Sequence, residues 1–171
     1  MKGGAEGEVE SFQPGFMMVA GSPMRGPNSA DAGQGYSWRC NQIRESVDGV
    51  PVCPGGGNNT LRLAVYFPQC WNGVIPNPAV GGDFTSHMTN ATNNGRDCPE
   101  THPHRLPSLT MNIDYYVRAG QDSTDFRLAS DLYALDQPGG YSAHADFLNG
   151  WDPQALENLM NSCLRPTLDC G

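Results

Sequence analysis

Residues 139–152 concentrate the side chains able to do chemistry: His144 and Asp146 two apart, Tyr141, Phe147 and Trp151 around them, and glycines at both ends where a backbone can turn. Histidine titrates near neutrality and a carboxylate can orient its ring, so the pair suits general acid–base work. The same residues would also make an ordinary half-buried strand with its aromatics packed in a core. The chain has 4 histidines. The other three, His87, His102 and His104, fall in the long stretch 74–107, which carries little apolar periodicity. Pro99, Pro103 and Pro107 stiffen its second half into an extended course. Residues two apart then point in different directions, so His102 and His104 are not expected to serve one centre. A loop tethered at its base can carry His87 and His102 towards His144. The expectation is therefore a solvent-open pocket in which His87, His102, His144 and Asp146 are the catalytic candidates, with Tyr141 or Trp151 at its wall. As metal ligands, His87, His102 and His144 with Asp146 would offer nitrogen and oxygen donors suited to zinc or copper. The sequence does not specify a cofactor.

These residues need a scaffold, and composition points to strands. The chain has 171 residues, 38% of them hydrophobic and 16% charged, with 21 glycines and 14 prolines. That density of turn formers favours short strands over a helical bundle, and the length fits one domain spanning residues 1–171. Leu61, Leu63, Val65 and Phe67 share one face of a strand, with Arg62, Ala64 and Tyr66 on the other. Leu109, Met111, Ile113, Tyr115 and Val117 alternate with Thr110, Asn112, Asp114 and Tyr116, a half-buried strand with one wet face. Further strands are expected at 8–12, 16–20, 126–130 and 131–135. One helix is expected, capped by Asp152, opened by Pro153, burying Ala155, Leu156, Leu159, Met160 and Cys163, and ending near Arg165-Pro166. The fold class is mainly β: a disulfide-stapled β-sandwich with long loops and one short C-terminal helix.

The cysteines at 40, 53, 70, 98, 163 and 170 are even in number, and none forms a C-x-x-C pair, so disulfides are a better reading than a zinc ribbon or a redox motif. Six cysteines allow about fifteen connectivities and the sequence does not choose among them; the preferred pairing joins chain neighbours, Cys40–Cys53, Cys70–Cys98 and Cys163–Cys170. Two Asn-x-Thr sequons, at Asn58 and Asn90, agree with an extracellular, glycosylated protein. Residues 1–7 contain no apolar signal-peptide core, and no apolar run is long enough to span a membrane. The net charge of −8 leaves no basic stripe for nucleic acid or an anionic membrane. No Gly-x-Ser-x-Gly elbow or phosphate-cradling loop is present.

Six blocks then carry a resemblance. They are residues 14–21 (PGFMMVAG), 37–40 (SWRC), 67–73 (FPQCWNG), Ser86-His87, 98–107 (CPETHPHRLP) and 144–151 (HADFLNGW). In this order they resemble a secreted family of fungi and actinobacteria known as a domain of unknown function, DUF1996. The resemblance runs from about Phe12 to Cys163. It implies an extracellular protein whose partner is a cell-wall or other extracellular glycan, by association with carbohydrate-binding modules rather than by mechanism. On the matching blocks His87, His102, Arg105, His144 and Asp146 fall at recurrent positions, whereas His104 does not. A further His-x-His segment that commonly opens members of the family it resembles is absent from this sequence, so a site requiring those histidines would be incomplete here or must be built without them.

Three functions follow as expectations. The first is a polysaccharide hydrolase or lyase using His144 and Asp146 with His87 or His102. The second is a carbohydrate-binding or structural module, with Trp38, Arg105, Tyr141 and Trp151 as substrate-binding residues. The third is a histidine-based metal-binding protein.

Overall fold

The computed structural model describes residues 9–30, 35–41, 47–56, 59–92 and 97–166. Among the described residues eight strands are formed: β1 (Met17–Gly21), β2 (Tyr36–Cys40), β3 (Thr60–Tyr66), β4 (Cys70–Trp71), β5 (Met88–Thr89), β6 (His104–Arg105), β7 (Thr110–Tyr116) and β8 (His144–Leu148). They make a two-stranded sheet β1-β8 and two three-stranded antiparallel sheets, β2-β3-β7 and β5-β4-β6. The mainly β, disulfide-stapled fold with one short C-terminal helix is what is seen. The chain divides into two compact units, one of residues 1–19, 67–109 and 146–171, the other of residues 20–66 and 110–145.

The first unit is built on β5-β4-β6 and the helix α1 (Pro153–Leu159). Phe16 meets Trp71 edge to face with centroids 5.7 Å apart, and Phe12 lies 4.9 Å from Phe147. The Asp152 side chain accepts the Ala155 amide at 2.9 Å and Pro153 opens the helix, as its missing N–H allows. After Leu159 the turns widen into a π-helical segment, Met160–Leu164. Leu156, Met160, Cys163 and Leu164 are buried, while Ala155, expected on the same face, is exposed. Arg165 Nε donates to the Val9 carbonyl at 3.1 Å and Ser11 to Glu157 at 2.7 Å, so the helix end is tied to the N-terminal segment. Residues 9–12 form no regular strand. Glu8 lies outside the described residues.

The second unit is built on β2-β3-β7. The inner face carries Tyr36, Trp38, Leu61, Leu63 and Val65, all buried, while Met111, Ile113 and Tyr115 on the edge strand β7 are half-buried. The alternation in β7 is as expected, but the core rests on the central strand β3 and on β2, whose outer edge is bridged by Val47. The segment 126–143, expected to hold two strands, is instead a folded loop. Arg127 donates to the carbonyls of Asp131, Tyr133, Ala134 and Gln137, while Asp131 accepts from Leu128, Gly140, Ser142 and Tyr133. Local side-chain bonds of this kind compete with sheet ladders. The loop lays Gly140 on Trp38, whose Nε1 donates to its carbonyl at 3.0 Å. Only glycine fits there: φ is +95°, and a Cβ would stand 2.6 Å from Trp38 Nε1.

Cys40–Cys53 and Cys70–Cys98 are bonded, each inside one unit. Among the described residues no cysteine is free. Cys170, and with it the expected Cys163–Cys170 pairing, lies outside the described residues, as does the Asn58 sequon. No helix among the described residues is long and apolar enough to cross a membrane.

Candidate functional site

In the first unit the structure brings His87 and His102 to the same turn. Asp83 starts it: its Oδ1 accepts from the Thr85 amide at 2.8 Å, the Thr85 hydroxyl at 2.6 Å and the Ser86 amide at 3.3 Å. Those bonds hold the Asp83 carboxyl down to about 2. His87 follows, only 2% exposed, between the Phe16 and Phe84 rings. Its Nε2–H donates to the Met17 carbonyl at 2.7 Å and fastens the turn to β1. Burial pushes its pKa below the ordinary histidine value, and the nearby His102 adds to that, against a smaller opposing pull from Met17 and Asp83. A neutral ring buried this deeply does not face a solvent-open pocket, which corrects the expectation for His87. His102 is half-buried, its Nε2–H donating to the Ser86 carbonyl at 3.2 Å and its Nδ1 lying 3.0 Å from the Thr101 hydroxyl.

The other first-unit candidates stand apart from that turn in role. Arg105 is buried on β6 opposite Cys70, and its carbonyl accepts from the Glu10 amide at 2.8 Å. His104, opposite Trp71, pairs through Nδ1 with Glu10 at 2.7 Å. Asp146 is exposed on β8. Trp151, 45% exposed, borders an open groove of about 440 Å³ with Phe147, Leu148 and Ala155.

In the second unit His144 opens β8. Its Nδ1–H donates to the Ser142 carbonyl at 2.9 Å, so the backbone orients this ring in place of the expected Asp146 carboxylate. Gly21, at φ +76°, lets β1 pass close by, since a Cβ there would lie 2.8 Å from His144 Cα. Tyr141 is half-buried, its amide donating to the Tyr133 hydroxyl at 3.2 Å. Trp38 is fully buried against Tyr115 and Phe126. Its ring cannot stack on a sugar, and it leaves the set of binding residues. Among the described residues no three His, Cys, Asp or Glu side chains are grouped to hold a metal ion.

The outer face of β2-β3-β7 offers an arrangement of a different kind. Register places Ser37, Ala64 and Asn112 in one row and Arg39, Arg62 and Asp114 in the next, with Tyr66 and Tyr116 at the ends. Arg62 grips Asp114 with two bonds, Nε to Oδ1 at 2.5 Å and Nη2 to Oδ2 at 2.6 Å. The bond to Arg62 and the charges of Arg62 and Arg39 hold the Asp114 carboxyl below its usual range. The Ser37 and Tyr66 hydroxyls are 2.9 Å apart. Tyr116 is 83% exposed. Beside it opens a cleft of about 890 Å³, lined by Asp114, Tyr115, Tyr116, Arg118, Gln121 and Asp122 among others.

The family model for a domain of unknown function, DUF1996, matches residues 1–151. The chain belongs to the DUF1996 family. No curated protein and no solved structure matches it. The DUF1996 match takes in all four histidines and the whole β2-β3-β7 face, while α1 lies beyond it. Sequence reasoning separated the polar and apolar sides of β3 and β7 but did not single out Arg39, Arg62, Asp114, Tyr66 or Tyr116 as a site. The signal was the wet half of each alternation, and what was missing was the register that sets three strands side by side.

Proposed function

We propose that this DUF1996 protein is a glycan-recognition module and that it reads its ligand with the outer face of β2-β3-β7. The observation that carries this reading is the open row of planar, hydrogen-bonding side chains flanked by exposed tyrosines. Carboxylate, amide and guanidinium groups can engage neighbouring sugar hydroxyls in pairs, and an exposed aromatic face packs on the apolar face of a pyranose ring. An open face beside a cleft suits a chain-like ligand better than a small enclosed one. Oxidised cysteines and the exposed Asn90 sequon support an extracellular setting and glycosylation at that asparagine.

Depletion of the full chain from solution by insoluble cell-wall polysaccharides, followed by titration with soluble oligosaccharides, tests the reading. Tyr116→Ala should weaken binding about tenfold, the equivalent of about 1.4 kcal/mol, without lowering the melting temperature. Unchanged affinity in both Tyr116→Ala and Asn112→Ala would sink it.

A second reading, polysaccharide cleavage, draws support from His144. Donation from Nδ1 to Ser142 fixes the tautomer and leaves Nε2 with the lone pair a general base needs. Release of new reducing or unsaturated ends by the wild type, lost in His144→Ala, is the result this reading requires.

A further inference from the structure

The same face carries a charge pattern that narrows the ligand class, and the inference below rests on the glycan reading. Arg39 and Arg62 are direct cross-strand partners, with Asp114 the next residue in the row. Like charges set opposite each other in an antiparallel pair are destabilising. One carboxylate answers two guanidiniums, and both of its oxygens are already bonded by Arg62. Arg39 is exposed and reaches Asp114 through its charge. The row is therefore a cationic spot in a chain whose net charge is −8. Two shallow depressions flank it, of about 120 Å³ and 140 Å³, and both are lined by Arg39 and Arg62. The first also holds Ser37, Tyr66 and Asn112, side chains suited to hydroxyls, whereas the second holds Thr60, Asn41 and the Asp114 carboxylate, so the first is the seat for an anion.

From this geometry we infer that the face recognises an acidic glycan, its sugar carboxylate seated against Arg39 and Arg62 and the neighbouring hydroxyls on Ser37, Tyr66 and Asn112. A guanidinium matches a carboxylate through two parallel hydrogen bonds, and the incoming anion supplies the charge that the row lacks. A polyanion of high charge density would be repelled by the rest of this acidic surface, whereas one carboxylate per sugar engages the arginines at short range.

Calorimetric titration of the full chain with three ligands of equal length decides the matter: a galacturonate oligomer, its methyl ester and a neutral galactose oligomer. The expected result is at least tenfold tighter binding of the free-acid oligomer than of the other two. Arg39→Ala should abolish that preference without lowering the melting temperature, and Arg39→Lys should restore it only in part. Equal affinity for the three ligands would overturn the acidic assignment and leave glycan recognition standing. A preference that survives in a folded Arg39→Ala would place the carboxylate elsewhere and overturn it too. If no ligand of the three binds and none of the cell-wall polysaccharides retains the chain, the underlying glycan reading falls with it.

Discussion

His87 shows how a residue type suited to catalysis can serve packing instead. Its Nε2–H reaches a carbonyl 70 residues away in sequence, and two phenylalanine rings close over it. Nothing local distinguishes such a histidine from an exposed one, so its burial was not legible. A consequence for stability follows from the direction of its pKa. Burial holds the folded-state value below the unfolded one, so the unfolded chain takes up a proton more readily. The stabilisation is full above the ordinary histidine pKa of about 6.5 and declines as pH falls below it towards the folded value. Thermal melts of the wild type should therefore lose midpoint from about pH 7 to pH 5, before the carboxylates titrate. His87→Leu should flatten that slope and start from a lower midpoint, because the Met17 carbonyl loses its donor at a cost of about 1–3 kcal/mol. An equally steep slope in the variant would refute this assignment.

At the level of elements, period-two alternation located β3 and β7 and their faces, and the Asp152-Pro153 signal located α1, because each rests on contacts within a few residues or on a pattern that any sheet would impose. Segment 126–143 was misread for the opposite reason. Its short apolar runs resemble strands, but Arg127 and Asp131 bind the backbone on themselves and cap Trp38 through Gly140. The Asp131 carboxyl is pushed up by burial and pulled down more strongly by bonds from Ser142, Gly140, Leu128 and Tyr133, so its net pKa is lowered. Tyr133, buried beside that carboxylate, is pushed up to about 12. Asp131→Ala should cost on the order of 2–4 kcal/mol, since several partly buried donors lose their acceptor together. The urea midpoint should fall accordingly, and limited proteolysis should acquire a new cut within 126–143. A variant with the wild-type midpoint and no new cut would mean the loop is held by Arg127 alone.

For the molecule as a whole, the two described disulfides are divided one to each unit. Cys40–Cys53 ties the end of β2 to the segment that also receives Ser123, whose hydroxyl accepts from the Cys53 amide at 2.6 Å. Cys70–Cys98 joins β4 to the Pro99–His102 turn, so the turn that carries His102 is anchored at its base. The bridges close loops with sequence separations of 13 and 28. Chain-entropy arguments give each about 3–4 kcal/mol, acting on the unfolded state and therefore on the segments that each loop encloses. With every cysteine oxidised, the intact mass under non-reducing conditions should be lower by about six hydrogens than after reduction. Hydrogen exchange on paired serine variants would then separate the two bridges. Cys40→Ser with Cys53→Ser should lower protection chiefly in β2 and β3, and Cys70→Ser with Cys98→Ser chiefly in β4, β5 and β6. Equal loss of protection across all five strands in both variants would show that the bridges stabilise the chain globally rather than unit by unit.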